Sequence, residues 1–318
     1  MRIENRRVVN RRQFNKAIVE DDKKGLILTD SNLNLLNNLG FEEFRLLDFA
    51  PNGHIILLKS KNWLTIRNAN KTTITAFDIE TKQHLFSTDK FLGYRSIIDK
   101  SSNYFLLEYY SGLCCVNIKN GEVVFKKDKI DKNLYNADLH LKSNIVYIPT
   151  EKKSILRYHF DDHYFDEIKL ENVGGMSWIK FDNTQTYLLV SDKKNSLHCF
   201  THDNFVKPIW TTNFSKLKKD NRICCYNIIT TESNLACIHG FMPSSDQTAY
   251  AGGTLYIFDI PSGEIIDSLD YANIQEEIIT DFQEDEIIID DLRSLSLKTK
   301  TFRQTPIASH IYTRTESI

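Results

Sequence analysis

GTLYIFDIPSGEIIDSL, residues 253–269, is the stretch whose reading decides the fold. Residues 254–260 form an apolar run rich in β-branched and aromatic side chains, Pro261-Ser262-Gly263 follows, and residues 264–269 form a second run. Proline fixes φ where the turn begins, glycine accepts φ > 0 without a Cβ penalty, and both flanks suit a pleated sheet, so the stretch reads as a β-hairpin. The unit recurs at 74–86 around Glu80-Thr81 and at 113–125 around Asn120-Gly121. Weaker copies lie at 26–36, 155–168, 197–210 and 295–302.

One apolar position just before each turn measures the period. Leu28, Ile79, Ile118, Phe160, Phe200, Ile260 and Leu297 are separated by 51, 39, 42, 40, 60 and 37 residues. A base period of about forty with two insertions matches one four-stranded propeller blade per repeat. Between the hairpins lie short apolar runs at 25–30, 54–59, 104–109, 144–149, 187–191, 234–239 and 286–290. Central strands covered on both faces by neighbouring sheets account for uninterrupted runs such as Ile55-Ile56-Leu57-Leu58. Helical periodicity is nearly absent, residues 41–47 being its best candidate. The expectation is an all-β chain: a single seven-bladed β-propeller of four-stranded antiparallel blades over residues 1–306, closed by joining N- and C-terminal segments, with a polar tail at 307–318.

Three hairpins carry a resemblance. Phe77-Asp78-Ile79-Glu80-Thr81, Phe258-Asp259-Ile260-Pro261-Ser262-Gly263-Glu264 and Val116-Asn117-Ile118-Lys119-Asn120-Gly121-Glu122 resemble the third-to-fourth-strand hairpin of WD-repeat and quinoprotein-like propellers. There an Asp beside an aromatic ends the third strand and a glycine-containing turn leads into the fourth; Asn117 replaces that Asp in one copy. The Gly-His and Trp-Asp dipeptides of WD repeats are missing from all seven copies. The resemblance implies a seven-bladed propeller and says little about activity.

A net charge of −2 excludes a global field that would draw the chain to nucleic acid or a membrane. Cys114-Cys115 and Cys224-Cys225 are adjacent pairs that suit neither a bridge nor a Cys-x-x-Cys clip; with Cys199 and Cys237 they read as buried, reduced thiols. Residues 1–12 carry five arginines and no apolar core of a secretory signal, and no apolar run approaches the ~20 residues of a membrane helix. A cytoplasmic location is expected.

The long connections are 60–73, 211–221 and 240–252, and in the propeller reading all three emerge on one face. That face collects Lys59, Lys61, Arg67, Lys71, Lys126, Lys127, Lys129, Lys132, Lys152, Lys153, Lys193, Lys194, Lys216, Lys218 and Lys219. The opposite face collects Asp48, Asp99, Asp161, Asp162, Asp182, Asp203, Asp281, Glu284 and Asp285. Elaborated loops on a rigid scaffold are where binding concentrates, so the basic face is the candidate working face. Trp63, Phe241, Met242 and Tyr250 are its candidate anchors and Lys126, Lys127, Lys216, Lys218 and Lys219 its candidate steering charges. Trp210 reads as core.

No chemistry-bearing motif stands out. His159-Phe160-Asp161-Asp162-His163 has metal-ligand residue types but falls where a turn must be. Gly174-Gly175 and Gly252-Gly253 lack the strand–helix context of a phosphate loop. Residues 276–291 hold eight carboxylates without a calcium-loop pattern, and Arg6-Arg7 with Arg11-Arg12 lacks interleaved surface aromatics. Neither cofactor nor metal is expected. The reading is a non-catalytic binder of a protein partner with an acidic surface, monomeric when unbound. An immunity protein that occludes a toxin is a sharper version, and a hydrolase or lyase in the propeller funnel is the alternative class.

Overall fold

The computed structural model describes residues 7–11, 15–21, 24–30, 32–60, 73–89, 95–109, 111–130, 133–217, 222–230, 235–243, 250–271, 279–283, 286–289, 293–296, 298–299 and 301–307. Among them, seven four-stranded sheets are each built from four strands consecutive in sequence. The first holds β1 (Arg7–Arg11), β2 (Lys16–Asp21), β3 (Gly25–Thr29) and β4 (Leu35–Gly40), and the second β5 (Phe44–Phe49), β6 (Ile55–Ser60), β7 (Ile74–Asp78) and β8 (Gln83–Thr88). The third holds β9 (Arg95–Ile98), β10 (Tyr104–Tyr109), β11 (Gly112–Asn117) and β12 (Val123–Asp128). The fourth follows a single 3₁₀ turn and holds β13 (Asp138–His140), β14 (Ile145–Pro149), β15 (Ser154–His159) and β16 (Tyr164–Lys169). The fifth holds β17 (Met176–Phe181), β18 (Tyr187–Asp192), β19 (Ser196–Thr201) and β20 (Trp210–Asn213), after which α1 (Phe214–Leu217) makes one turn. The sixth holds β21 (Arg222–Thr230), β22 (Leu235–Pro243), β23 (Tyr250–Asp259) and β24 (Ile265–Tyr271). The seventh holds β25 (Ile279–Gln283), β26 (Glu286–Ile289), β27 (Arg293–Ser296) and β28 (Thr301–Gln304).

The chain divides into two compact units, Met1–Tyr135 with His159–Tyr164 and Gln304–Ile318, and Asn136–Tyr158 with Phe165–Arg303. In the first unit, Ile56 and Leu58 of β6 pack with Ile18, Leu26, Leu46 and Phe49, while Leu57 packs with Phe105, Leu107, Cys114 and Val116 of the third sheet. One strand thus feeds two cores by alternation, which is why Ile55-Ile56-Leu57-Leu58 is apolar at every position. The second unit repeats this on β18. Leu188 and Val190 join Tyr147, Ile155, Phe181 and Phe200, while Leu189 joins Cys199, Tyr256 and Phe258.

The turn that leads from third to fourth strand is the most regular element. In both 117–122 and 259–264 the glycine N–H donates to the residue four before it, Gly121 to Asn117 (2.9 Å) and Gly263 to Asp259 (2.8 Å). Both glycines are left-handed, at φ 70° and 73°. The same position falls to Leu33 (φ 61°), Lys82 (φ 58°) and His163 (φ 54°) in three other sheets, so the backbone shape holds where glycine is absent. Beyond the turn the fourth strand carries a bulge in four sheets, and the residue left out of register is Leu36, Leu85, Val124 or Ile266. In three of these sheets the extra residue is thrown outward, Leu36, Val124 and Ile266 being among the exposed large hydrophobics, whereas Leu85 packs against the core.

Carboxylates close the turns between first and second strands. Asp99 accepts from the N–H groups of Ser101 (3.0 Å), Asn103 (2.8 Å) and Tyr104 (2.7 Å), and Asp182 from those of Thr184 (2.9 Å), Thr186 (2.7 Å) and Tyr187 (2.6 Å). Two more carboxylates tie neighbouring sheets together. Asp48 of β5 accepts from Ile98 N–H of β9 (3.1 Å), and Asp138 of β13 from Phe181 N–H of β17 (2.8 Å).

Residues 41–47, the best helical candidate but too short to read as a helix, run into β5, whose Leu46 and Leu47 face two different cores. Two expectations are corrected. Residues 7–11, read only as an arginine-rich terminus, pair with β2 in full register. The connection 240–252 is shorter than expected, since Phe241 pairs with Gly253 and Pro243 with Tyr250 as β22 and β23 extend. Among the described residues no sheet mixes N- and C-terminal strands, and the segment from Gln304 belongs to the unit that holds the N-terminal sheets.

Candidate interaction face

In a sheet of consecutive antiparallel strands, the second-to-third turn emerges at the end where the fourth strand leaves. In the second unit this end is built from four segments fastened together by main-chain hydrogen bonds. Met176 N–H donates to Thr150 O (3.1 Å), Lys193 N–H to Gly175 O (2.8 Å), and Phe214 N–H to Asn195 O (3.0 Å). On this frame stand Lys152 and Lys153 in the β14–β15 turn, Lys193 and Lys194 in the β18–β19 turn, and Lys216 on α1, all exposed. The exposed acids beside them are Glu151, which pairs with Lys193 (2.6 Å), and Glu171. Both members of that pair are well exposed, so it contributes little to stability.

Beneath the lysines, Asp192 anchors the β18–β19 turn. It accepts from Gly174 N–H (3.1 Å), Lys194 N–H (2.9 Å), Ser196 N–H (3.0 Å) and His198 Nε2 (3.2 Å), and His198 Nδ1 in turn meets Thr211 Oγ1 (2.9 Å). Burial alone would push the Asp192 carboxyl up, but the hydrogen bonds from His198 and from the Ser196 and Gly174 amides outweigh it and hold it below its ordinary range. The Asp–His–Thr connectivity resembles an acid–base relay. Its carboxylate is spent on two amides of its own turn and on that of Gly174 in the neighbouring connection, and His198 is buried between two strands, so the network clamps the frame. It also explains Gly174-Gly175: the Gly174 N–H is already given to Asp192.

In the first unit the equivalent end carries exposed Lys126, Lys127 and Lys129, with Lys129 N–H donating to Ser111 O (2.8 Å). Lys126 Nζ lies over the Tyr109 ring at 4.9 Å, and the Tyr109 hydroxyl donates to Asp128 (2.7 Å). Lys59 does not belong to this surface. It is 8% exposed, and burial, with Arg95 nearby, lowers its ammonium to about 8.

The expected acidic face is corrected more deeply. Asp48, Asp99 and Asp182 are buried and used as hydrogen-bond acceptors, whereas Asp161, Asp162 and Asp203 remain at the surface. Asp281 lies on β25; Glu284 and Asp285 fall outside the described residues. The signal missed is a repeated pattern, Asp-x-Ser-x-x-Tyr at 99–104 and Asp-x-Thr-x-x-Tyr at 182–187. Of the candidate anchors, Phe241 and Met242 lie on β22 and Tyr250 on β23. Trp63, Lys218 and Lys219 fall outside the described residues, as do Lys61, Arg67, Lys71 and Lys132.

The remaining motifs resolve as structure. His159 ends β15 and stacks on Tyr164 at 4.2 Å across the turn, and His163 takes the left-handed position, its ring 5.0 Å from that of Tyr104. Among the described residues no group of three or more His, Cys, Asp or Glu could hold a metal ion. Cys114, Cys115 and Cys199 are unbridged and buried; burial pushes the Cys114 and Cys199 thiols up to about 12. Trp210 opens β20, stacks on Phe258 at 6.1 Å and donates to Ile260 O (2.8 Å).

Comparison with solved structures decides the architecture. The chain superposes on the β-propeller domain of Cps50 (Swd1) from Myceliophteria thermophila with a TM-score of 0.61, covering 95% of this chain and 96% of that one at 10% identity. The fold is a β-propeller. No family model matches the sequence, and no curated protein matches it. At that identity the likeness belongs to the backbone, so the propeller is established here by sheets, turns and superposition rather than by a signature. No helix among the described residues is long and apolar enough to cross a membrane.

Proposed function

We propose that this chain is a non-catalytic, cytoplasmic propeller that binds a protein partner through the basic ends of its sheets. The observation that carries this reading is the lysine-bearing frame of the second unit. Lys152, Lys153, Lys193, Lys194 and Lys216 stand on turns fixed to one another by backbone hydrogen bonds, with Glu151 and Glu171 as the nearby exposed acids. A rigid frame lowers the ordering cost of binding, and an excess of positive charge speeds encounter with an acidic surface. Lys126 and Lys127 extend the same chemistry in the first unit, while Phe241, Met242, Tyr250 and Trp63 would serve as anchors after docking. In this reading the propeller is a monomer until its partner binds.

The test is capture of the partner from the native host followed by kinetics. Reversing Lys193 and Lys194 to Glu, in the full chain, is expected to slow association about tenfold at low salt and flatten its salt dependence, with dissociation little changed. A partner whose binding ignores that variant but is abolished by Asp161→Lys with Asp162→Lys would place the working face at the other end of the sheets.

A further inference from the structure

The second unit contains a titratable cluster that the binding reading leaves unused. His140, at the end of β13, and His202, just after β19, stack face to face with centroids 3.8 Å apart and planes 9° from parallel. Tyr147 of β14, Phe181 of β17 and Phe205 close around them, with Phe181 4.8 Å from His140 and Phe205 5.9 Å from His202. The rings therefore sit in the packing between the fourth and fifth sheets.

Hydrogen bonds fix the tautomer of the neutral His140 ring. Its Nε2 faces the Gln185 carbonyl (3.1 Å), which can only accept, so Nε2 carries the proton. Its Nδ1 faces the Ser143 hydroxyl (2.6 Å) and accepts from the Ser143 N–H (3.3 Å). Burial, followed by the charge of His202 and Lys142, lowers the His140 imidazole below its ordinary value, against the opposing pull of the Gln185 carbonyl and Asp138.

We propose that the His140–His202 stack is an acid-operated release between the fourth and fifth sheets. In neutral solution the two neutral rings stack, the Tyr147 hydroxyl meets His202 Nε2 (3.2 Å), and the Leu141 N–H reaches the Gln185 side chain (2.6 Å). In acid, a proton forced onto His140 is buried among the aromatic rings, where its charge is poorly solvated. Positive charge on rings stacked at 3.8 Å is repelled, so the pair separates and carries β13 away from the 182–187 turn.

The other charges around the pair do not relieve it. Asp138 is engaged by Lys180 Nζ (3.1 Å) and Phe181 N–H, and Asp182 by its own turn. Arg157, 5.9 Å from the centre of the Tyr147 ring, is held by Asp166 (2.7 Å) and adds positive charge, as does Lys142, whose Nζ donates to Thr184 O (2.7 Å). Asp203 stands 3.5 Å from His202 Nδ1 but its side chain is fully exposed, where water screens it.

The test uses the full chain from about pH 7.5 to about pH 5, the range in which histidine changes charge. Hydrogen exchange, corrected for its intrinsic pH dependence, is expected to quicken in 138–147 and 181–205 by up to about tenfold per pH unit, one excluded proton's worth. Exchange in β5–β12 should stay flat. His202→Phe keeps an aromatic ring in the stack and removes one charge, so its response should be shallower. A direct histidine titration by NMR guards against a variant that fails to fold: His140 should titrate below the ordinary range in the native chain and move up in His202→Phe. An ordinary His140 titration, exchange that is independent of pH, or a His202→Phe variant with the full native response would each overturn the proposal.

Discussion

Gly263→Ala tests the stretch on which the fold was read. The residue sits at φ 73°, and a Cβ there would lie 2.5 Å from Cδ2 and 2.6 Å from Cγ of Trp210. Two costs follow and they are separable. A left-handed alanine costs about 1–2 kcal/mol whatever its surroundings, and pushing the indole off the turn costs about 1–3 kcal/mol as overpacking. Together the substitution should destabilise by about 2–5 kcal/mol. Trp210→Ala removes the ring, its stacking on Phe258 and its bond to Ile260 O. In that background Gly263→Ala should cost only the backbone term, leaving a coupling of about 1–3 kcal/mol in a double-mutant cycle. Urea denaturation of the four proteins measures this through midpoints at constant m-value. Additivity within about 0.5 kcal/mol would refute the contact, and a near-neutral Gly263→Ala would refute the left-handed turn itself. Gly121 offers a replicate, because a Cβ there would lie 2.8 Å from Cδ2 of Phe86.

Asp182→Ala should destabilise by about 1–3 kcal/mol, because three amide N–H groups of one turn lose a buried acceptor; chemical denaturation checks this, and Asp182→Asn should recover part of the loss. Asp192 sets a pH dependence whose sign follows from its depressed carboxyl: its contribution is fully present above the ordinary Asp range and is lost as pH falls through the folded value. Asp192→Asn should therefore lower stability near neutrality and flatten the acid limb of stability against pH, read from urea midpoints at stepped pH values. An acid limb of unchanged slope would mean that other carboxylates dominate it.

The parts of the fold legible in the sequence are those where one residue's chemistry settles its own conformation. Pro261-Ser262-Gly263 and Asn120-Gly121 announce their turns because only glycine takes φ > 0 at no cost, and Ile55-Ile56-Leu57-Leu58 announces a strand covered twice. Where the same backbone is held by context, the signal fades. Lys82, His163 and Leu33 adopt the left-handed position without glycine, so their turns read as weaker copies. The strand at 7–11 was hidden for a related reason: its arginines and asparagine dilute the Val8-Val9 pair, and its register is supplied by β2.

Charge was the harder reading, because composition reports how many carboxylates a chain has and not which way they point. Asp99 and Asp182 looked like surface charge on loops, yet a six-residue turn concentrates several unpaired N–H groups at one point, and an ionised carboxylate is the compact acceptor that satisfies them. Asp48 and Asp138 do the same between sheets, at positions where a neighbouring strand presents an amide without a ladder partner. Lysine, with a long stem and a strongly hydrated head, resists such use and stays outside unless burial lowers its charge, as at Lys59. Among the described residues, turning Asp48, Asp99, Asp182 and Asp192 inward while leaving most lysines outward makes these turns more basic than a count of their charges. In the proposed binding reading, the net charge of −2 would then understate the attraction these turns offer an acidic partner. The same logic predicts that the basic frame cannot be judged by counting charges. Its strength depends on Asp192 and the glycines beneath it, which set the spacing of Lys152, Lys153, Lys193 and Lys194.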